Sequence, residues 1–154
     1  MYKGKQLENI MPHKRRMVLL SRVVDFSTAE KNLTAEVDIT KHSMLFNTQT
    51  RQVPAWVGIE YMAQAIAALS GIYNSENNKG AQTLGFIIGA RNYKCFTSGF
   101  KEGSTLTIKV EQLFLDAEIG SFKCEIFSAN REKFASTELN VFQPQDVTQF
   151  LSRA

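Results

Sequence analysis

The sequence predicts an α+β fold in which one antiparallel sheet of about six strands curls around a single long apolar helix. Three observations carry this. Strand-like segments flank one helical segment, two before it and four after it. The helical segment, "PAWVGIEYMAQAIAALSG" at 54–71, is apolar on nearly every face, so other elements must surround it. The turns between the later strands are short, as antiparallel neighbours allow.

Taken in order, "KQLENIMPH" reads as one short helical turn stopped by Pro12. Residues 16–27, "RMVLLSRVVDFS", are rich in aliphatic and β-branched side chains and predict a strand. Over 32–40, Leu33, Ala35, Val37 and Ile39 alternate with Asn32, Thr34, Glu36 and Asp38. That is a half-buried strand, paired with the first across "STAEK". Residues 41–53 have no period, and a loop of that length is often functional. Pro54 suits the first turn of a helix, where its missing N–H is not needed, and the helix runs to about Asn74. Strands follow over 83–96, 104–116, 121–131 and 133–143. In the second of these, Leu106, Ile108 and Val110 share one parity and Leu113 and Leu115 the other, which predicts a bulge near Glu111 and Gln112. "PQDVTQFLSRA" closes the chain as a short peripheral helix. This order is the hotdog architecture, a single domain over 1–154, with a second copy closing the free side of the helix.

Composition narrows the function. A chain of 154 residues suits one domain with one core. Its net charge of +3 calls for no nucleic-acid backbone, while it is compatible with an acidic protein partner. Cys95 and Cys124 make neither a disulfide framework nor a metal-ligand spacing, so reduced thiols and no metal are expected. The N-terminus lacks the apolar core of a signal peptide. No membrane span is expected, because Glu60 and Gln64 interrupt the most apolar run, and the chain reads as cytoplasmic. "GFIIGAR" lacks the context of a dinucleotide loop.

Glu60 and Gln64 lie one turn apart and project from the same face of the apolar helix. Burying an unpaired carboxylate costs several kcal/mol unless it takes up a proton. Glu60 therefore pairs with a basic group such as Arg91 or Lys94, lies at a wet dimer seam, or serves as a general acid/base raised in pKa by desolvation. Gln64 would hold the carboxylate or its water. The first helical N–H groups, at Ala55 and Trp56, could bind a thioester oxygen as charge develops there.

"MPHKRRMVLLSRVVDF", then "VPAWVGIEYMAQAIAA" and "GARNYKCFTSGFKEGSTLTI", resemble the β-hydroxyacyl-acyl-carrier-protein dehydratases over nearly the whole chain. "PAWVGIEYMAQ" is similar to the branch found with aryl-polyene and related polyketide-type clusters. The resemblance implies that Glu60 is catalytic and Gln64 supports it. The family's second catalytic residue is a loop histidine, and aligned without gaps from Glu60 it falls on Phe46. His42 is the nearby substitute, if the loop rearranges; otherwise it is an exposed residue at a strand end. His13 matches a family histidine that is not catalytic.

Dehydration of a β-hydroxyacyl thioester is therefore expected, with the substrate on the phosphopantetheine of an acyl carrier protein and no cofactor of the enzyme's own. Two alternatives stand beside it: a non-catalytic subunit paired with an active paralogue, and a hotdog thioesterase. The expected assembly is a homodimer or a heterodimer with such a paralogue. Arg91, Lys94 and Lys101 are the expected contacts for the carrier protein, or else an ordinary solvated basic face.

Overall fold

A computed structural model describes residues 1–12, 17–77, 86–116 and 118–142, and of 86–88 the backbone alone. Its elements in chain order are β1 (Tyr2–Lys3), α1 (Lys5–Ile10), β2 (Arg22–Ser27), β3 (Asn32–Asp38), β4 (Gln52–Pro54), a 3-10 turn (Ala55–Val57), α2 (Gly58–Glu76), β5 (Phe86–Cys95), β6 (Gly99–Lys101), β7 (Thr105–Asp116), β8 (Ile119–Phe127) and β9 (Lys133–Phe142). Seven strands form one antiparallel sheet in the order β1-β2-β3-β7-β8-β9-β5, and β4 pairs with β6 beside it. The helix α2 packs across β3, β7 and β8.

Alternation sets which face of each strand turns toward α2. Leu33, Ala35 and Val37 on β3, Leu106, Ile108 and Val110 on β7, and Phe122, Cys124 and Ile126 on β8 are all buried. On β9, Ala135, Leu139 and Val141 continue the same face. The helix meets them with Met62, Ala65, Ile66, Leu69 and Ile72. Each large aliphatic side chain so buried contributes about 1.5–3 kcal/mol. The expected bulge is present on β7, where the register against β8 shifts between Gln112 and Phe114. Beyond it Leu113, Phe114 and Leu115 stand exposed. Cys124 is buried, which pushes its thiol pKa up to about 12, while Cys95 is exposed.

Several expectations need correction. The first long strand begins at Arg22, and residues 18–20 carry no regular structure. Here Ser21 and Arg22 commit the chain to the sheet: the Ser21 hydroxyl accepts from the Asp38 amide at 2.9 Å, and Arg22 grips Asp38 and Glu36. Pro54 ends β4, and the helix proper starts at Gly58, after the 3-10 turn. The 41–53 loop is densely bonded. Ser43 and Thr40 bond each other's backbone, the Asn47 side chain accepts from the amides of Gln49 and Thr50, and Leu45 and Arg51 adopt left-handed backbone angles. His13, the start of the strand expected from 83, and the C-terminal helix expected over 144–154 lie outside the described residues.

Only one helix among the described residues, the 3-10 turn continued by α2 over Ala55–Glu76, is long and apolar enough to cross a membrane, and it is the core helix of the sheet.

Candidate active site

The helix α2 is not covered all round. Tyr61, Met62, Gln64, Ala65 and Ile66 are buried, but Trp56 and Glu60 are exposed and Ala63 and Ala67 only half-buried. These four lie on one stripe of the helix. Glu60 is therefore not buried within the single chain, and a place at a dimer seam stands among its expected settings. The sheet covers one side of the helix, and Glu60 stands on the other.

Gln64 is 1% exposed and makes the defining contacts of the site. Its Oε1 accepts from the Leu19 amide at 2.8 Å, and its Nε2 donates to the Met17 carbonyl at 2.7 Å. The same Nε2 reaches Glu60 Oε1 at 3.4 Å. One side chain thus ties the carboxylate to the lead-in segment before β2. The binding of residues 17–19 was not foreseen, because nothing in the sequence marks two backbone groups 45 to 47 residues away as its partners.

Val18, Leu19 and Val37, with Ser43 and Met44 opposite, line a cleft of about 620 Å3, into which His42 and Tyr61 also face. That volume is in the range of small-molecule sites. His42 is exposed on the rim, its backbone amide donating to the Thr40 hydroxyl at 3.1 Å. The loop around it is built by short-range bonds, which hold His42 on the rim. Phe46, at the position aligned with the family's histidine, packs against the core with the Arg51 guanidinium 5.4 Å from its ring centre. Arg51 in turn pairs with Glu102. The loop is thereby pinned to the turn between β6 and β7.

Ala55 and Trp56 lie on the 3-10 turn, one turn before Glu60. A residue absent from the sequence-based expectations fixes this turn: the Tyr93 hydroxyl donates to the Ala55 carbonyl at 2.6 Å. Gly58 makes room for it, since a Cβ there would stand 2.4 Å from the Tyr93 oxygen. A glycine inside an otherwise apolar helix start was the available signal. Trp56 itself is 61% exposed.

Arg91 and Lys94 are exposed on β5, the long edge strand, and Lys101 is exposed on β6. Arg91 reaches Glu138 only at 4.0 Å. The three share no element, and only the first two share a strand. Among the described residues no cluster of three His, Cys, Asp or Glu side chains is placed to hold a metal ion.

A curled antiparallel sheet carrying one apolar helix is the hotdog fold, and likeness to known dehydratases makes this chain one of that class. The chain belongs to the ApeP-like dehydratases, whose family model, ApeP dehydratase, matches residues 5–152. It is a lyase. The 3-hydroxyacyl-[acyl-carrier-protein] dehydratase FabZ of Oceanobacillus iheyensis is 32% identical over 124 residues, covering 77% of this chain and 82% of that protein. FabZ of Chlamydia caviae is 25% identical, covering 77% of each. Among solved structures, the dehydratase heterocomplex ApeI:P from Xenorhabdus doucetiae matches with a TM-score of 0.83 and 32% identity over 95% of both chains. The E. coli PaaI protein, at 14% identity and a TM-score of 0.59 over 79% of this chain and 81% of its own, shares the fold alone.

Proposed function

We propose that this dehydratase removes water from a β-hydroxyacyl thioester delivered on the phosphopantetheine of an acyl carrier protein, at a site centred on Glu60. The observation that carries this is the Gln64 amide, which holds Glu60 and the 17–19 segment together beside the cleft. Chemistry then follows from position. A base takes the α-proton; protonated Glu60 gives its proton to the β-hydroxyl as the C–O bond breaks and the C=C bond forms. The amides at Ala55 and Trp56 stabilise the charge that builds on the thioester oxygen. His42, on the cleft rim, is the base this chain itself can offer.

Dry surroundings favour the protonated form of a carboxylate and so suit it to act as an acid near neutral pH. On the single chain Glu60 is exposed. A second hotdog chain laid over the stripe of Trp56, Glu60, Ala63 and Ala67 would supply that dryness. The edge of β5, ten residues long and unpaired among the described residues, offers it a strand to pair with. Arg91, Lys94 and Lys101 would then meet the acidic carrier protein.

Phe46 favours a second version of the same site. Its core-packed ring fills the place aligned with the family's histidine, so the base would come from a histidine-bearing paralogue in a heterodimer. One experiment separates them. Dehydration of a β-hydroxyacyl carrier protein is followed with the chain alone, with Glu60→Gln, with His42→Ala, and with each plus the paralogue. Turnover by the chain alone that is lost in both variants supports a self-sufficient enzyme. Turnover only with the paralogue, lost in Glu60→Gln but kept in His42→Ala, supports the shared site. Turnover that survives Glu60→Gln in every mixture refutes both.

A further inference from the structure

Tyr61 is 2% exposed, and its hydroxyl has no hydrogen-bond partner among the described residues. Its ring rests on Phe100, with centroids 5.9 Å apart. Burial pushes its pKa up to about 12. A buried hydroxyl without a partner costs about 1–3 kcal/mol, and buried tyrosines normally find one. Tyr93 does, at the Ala55 carbonyl. Phenylalanine at 61 would pack the same ring without that cost, so the oxygen needs another explanation.

The cleft supplies one. Tyr61 forms part of its wall beside Val18, Leu19, Val37 and Met44, with His42 and Ser43 as the other polar side chains. Neighbouring helix positions point about 100° apart. Tyr61 therefore faces the buried side of α2 while Glu60 faces the open stripe. An oxygen that reaches Tyr61 is not the hydroxyl being expelled beside Glu60.

We propose that this cleft receives the acyl chain of the substrate and that Tyr61 selects chains carrying a second oxygen, a hydroxyl or carbonyl along the chain, over plain alkyl chains. The assignment rests on the hydroxyacyl-thioester reading above and names its substrate class.

The test uses non-hydrolysable thioether analogues of a 3-hydroxyacyl pantetheine, all of one length. One is plain alkyl, and the others carry a hydroxyl or oxo group at successive carbons. Binding is measured by calorimetry on the parent protein in its native assembly, on Tyr61→Phe and on Glu60→Gln. At least one oxygenated analogue should bind the parent about tenfold tighter than the alkyl one, the gain of a single good hydrogen bond. Tyr61→Phe should lose that preference while binding the alkyl analogue at least as well, and Glu60→Gln should keep it. The proposal is overturned if the parent shows no preference, if Tyr61→Phe retains it, or if no analogue binds. An enclosed water satisfying the hydroxyl would appear as the first of these. Turnover fails or survives independently: a preference that depends on Tyr61 in a protein that dehydrates no hydroxyacyl thioester would sink the proposed reaction and leave the selectivity group standing.

Discussion

Replacing Gln64 with leucine tests the site at its joint. The change keeps the side-chain volume and removes the amide, so the Leu19 N–H and the Met17 carbonyl lose partners held at 2.8 and 2.7 Å. A buried backbone group left unpaired costs about 1–3 kcal/mol. Met17 is 56% exposed, so water can reach its carbonyl, and the penalty falls mainly on the Leu19 amide. A loss of about 2 kcal/mol is expected, which for a domain of this size lowers Tm by about 4–8 °C. Urea unfolding at fixed protein concentration should show a lower midpoint with an unchanged slope. The Gln64→Glu variant sharpens the test. It keeps an acceptor for Leu19, loses the donor to Met17, and places two carboxylates one turn apart, where like charges repel. Its deficit should shrink as pH falls and the carboxylates protonate. If Gln64→Leu unfolds within about 0.5 kcal/mol of the parent, as a surface change would, the clamp is not holding the segment.

Glu60→Gln should lower turnover by at least about 10²-fold with near-ultraviolet circular dichroism unchanged, since it removes the proposed proton donor and little volume. Gly71→Ala would place a Cβ 1.7 Å from the Ile10 carbonyl, a backbone atom that cannot rotate away; α1 should lift from α2, and urea unfolding should show a loss of about 3 kcal/mol or more. Arg22 holds the Asp38 carboxyl below the usual carboxylate range, so this group adds stability that is present above its unfolded pKa and is lost as pH falls through the folded one. Asp38→Asn should therefore be less stable than the parent at pH 7, with the gap closing below about pH 4 in parallel unfolding curves.

Much of the fold was legible because alternation is a strong signal. Leu33 to Ile39 and Leu106 to Val110 read correctly as one-sided strands, and the change of parity after Val110 located the bulge. The strands Tyr2–Lys3, Gln52–Pro54 and Gly99–Lys101 were missed because two or three residues carry no period. Whether the stripe beside Glu60 is core or seam was not readable for a different reason. Alanines at 63 and 67 count as apolar in any pattern, yet a small side chain fits a half-open seam as well as a core. The rigidity of the 41–53 loop was readable in principle from Thr40, Ser43 and Asn47, residue types whose side chains bond nearby amides. What Gln64 binds was not readable, since a contact across 45 residues leaves no local mark.

The two bonds Gln64 makes to Leu19 and Met17 have the form of a sheet rung. One residue's carbonyl and the N–H two places on are met by a single amide, as a neighbouring strand would meet them. The helix thus lends the lead-in segment a peptide group that no strand provides. Order of assembly follows from this. Met17 and Leu19 gain these two partners only when α2 lies on the sheet, and local opening of that segment should precede global unfolding. The exchange rate of one backbone proton, on Leu19, should then gauge whether the mouth of the cleft is formed, read separately from whether the domain is folded.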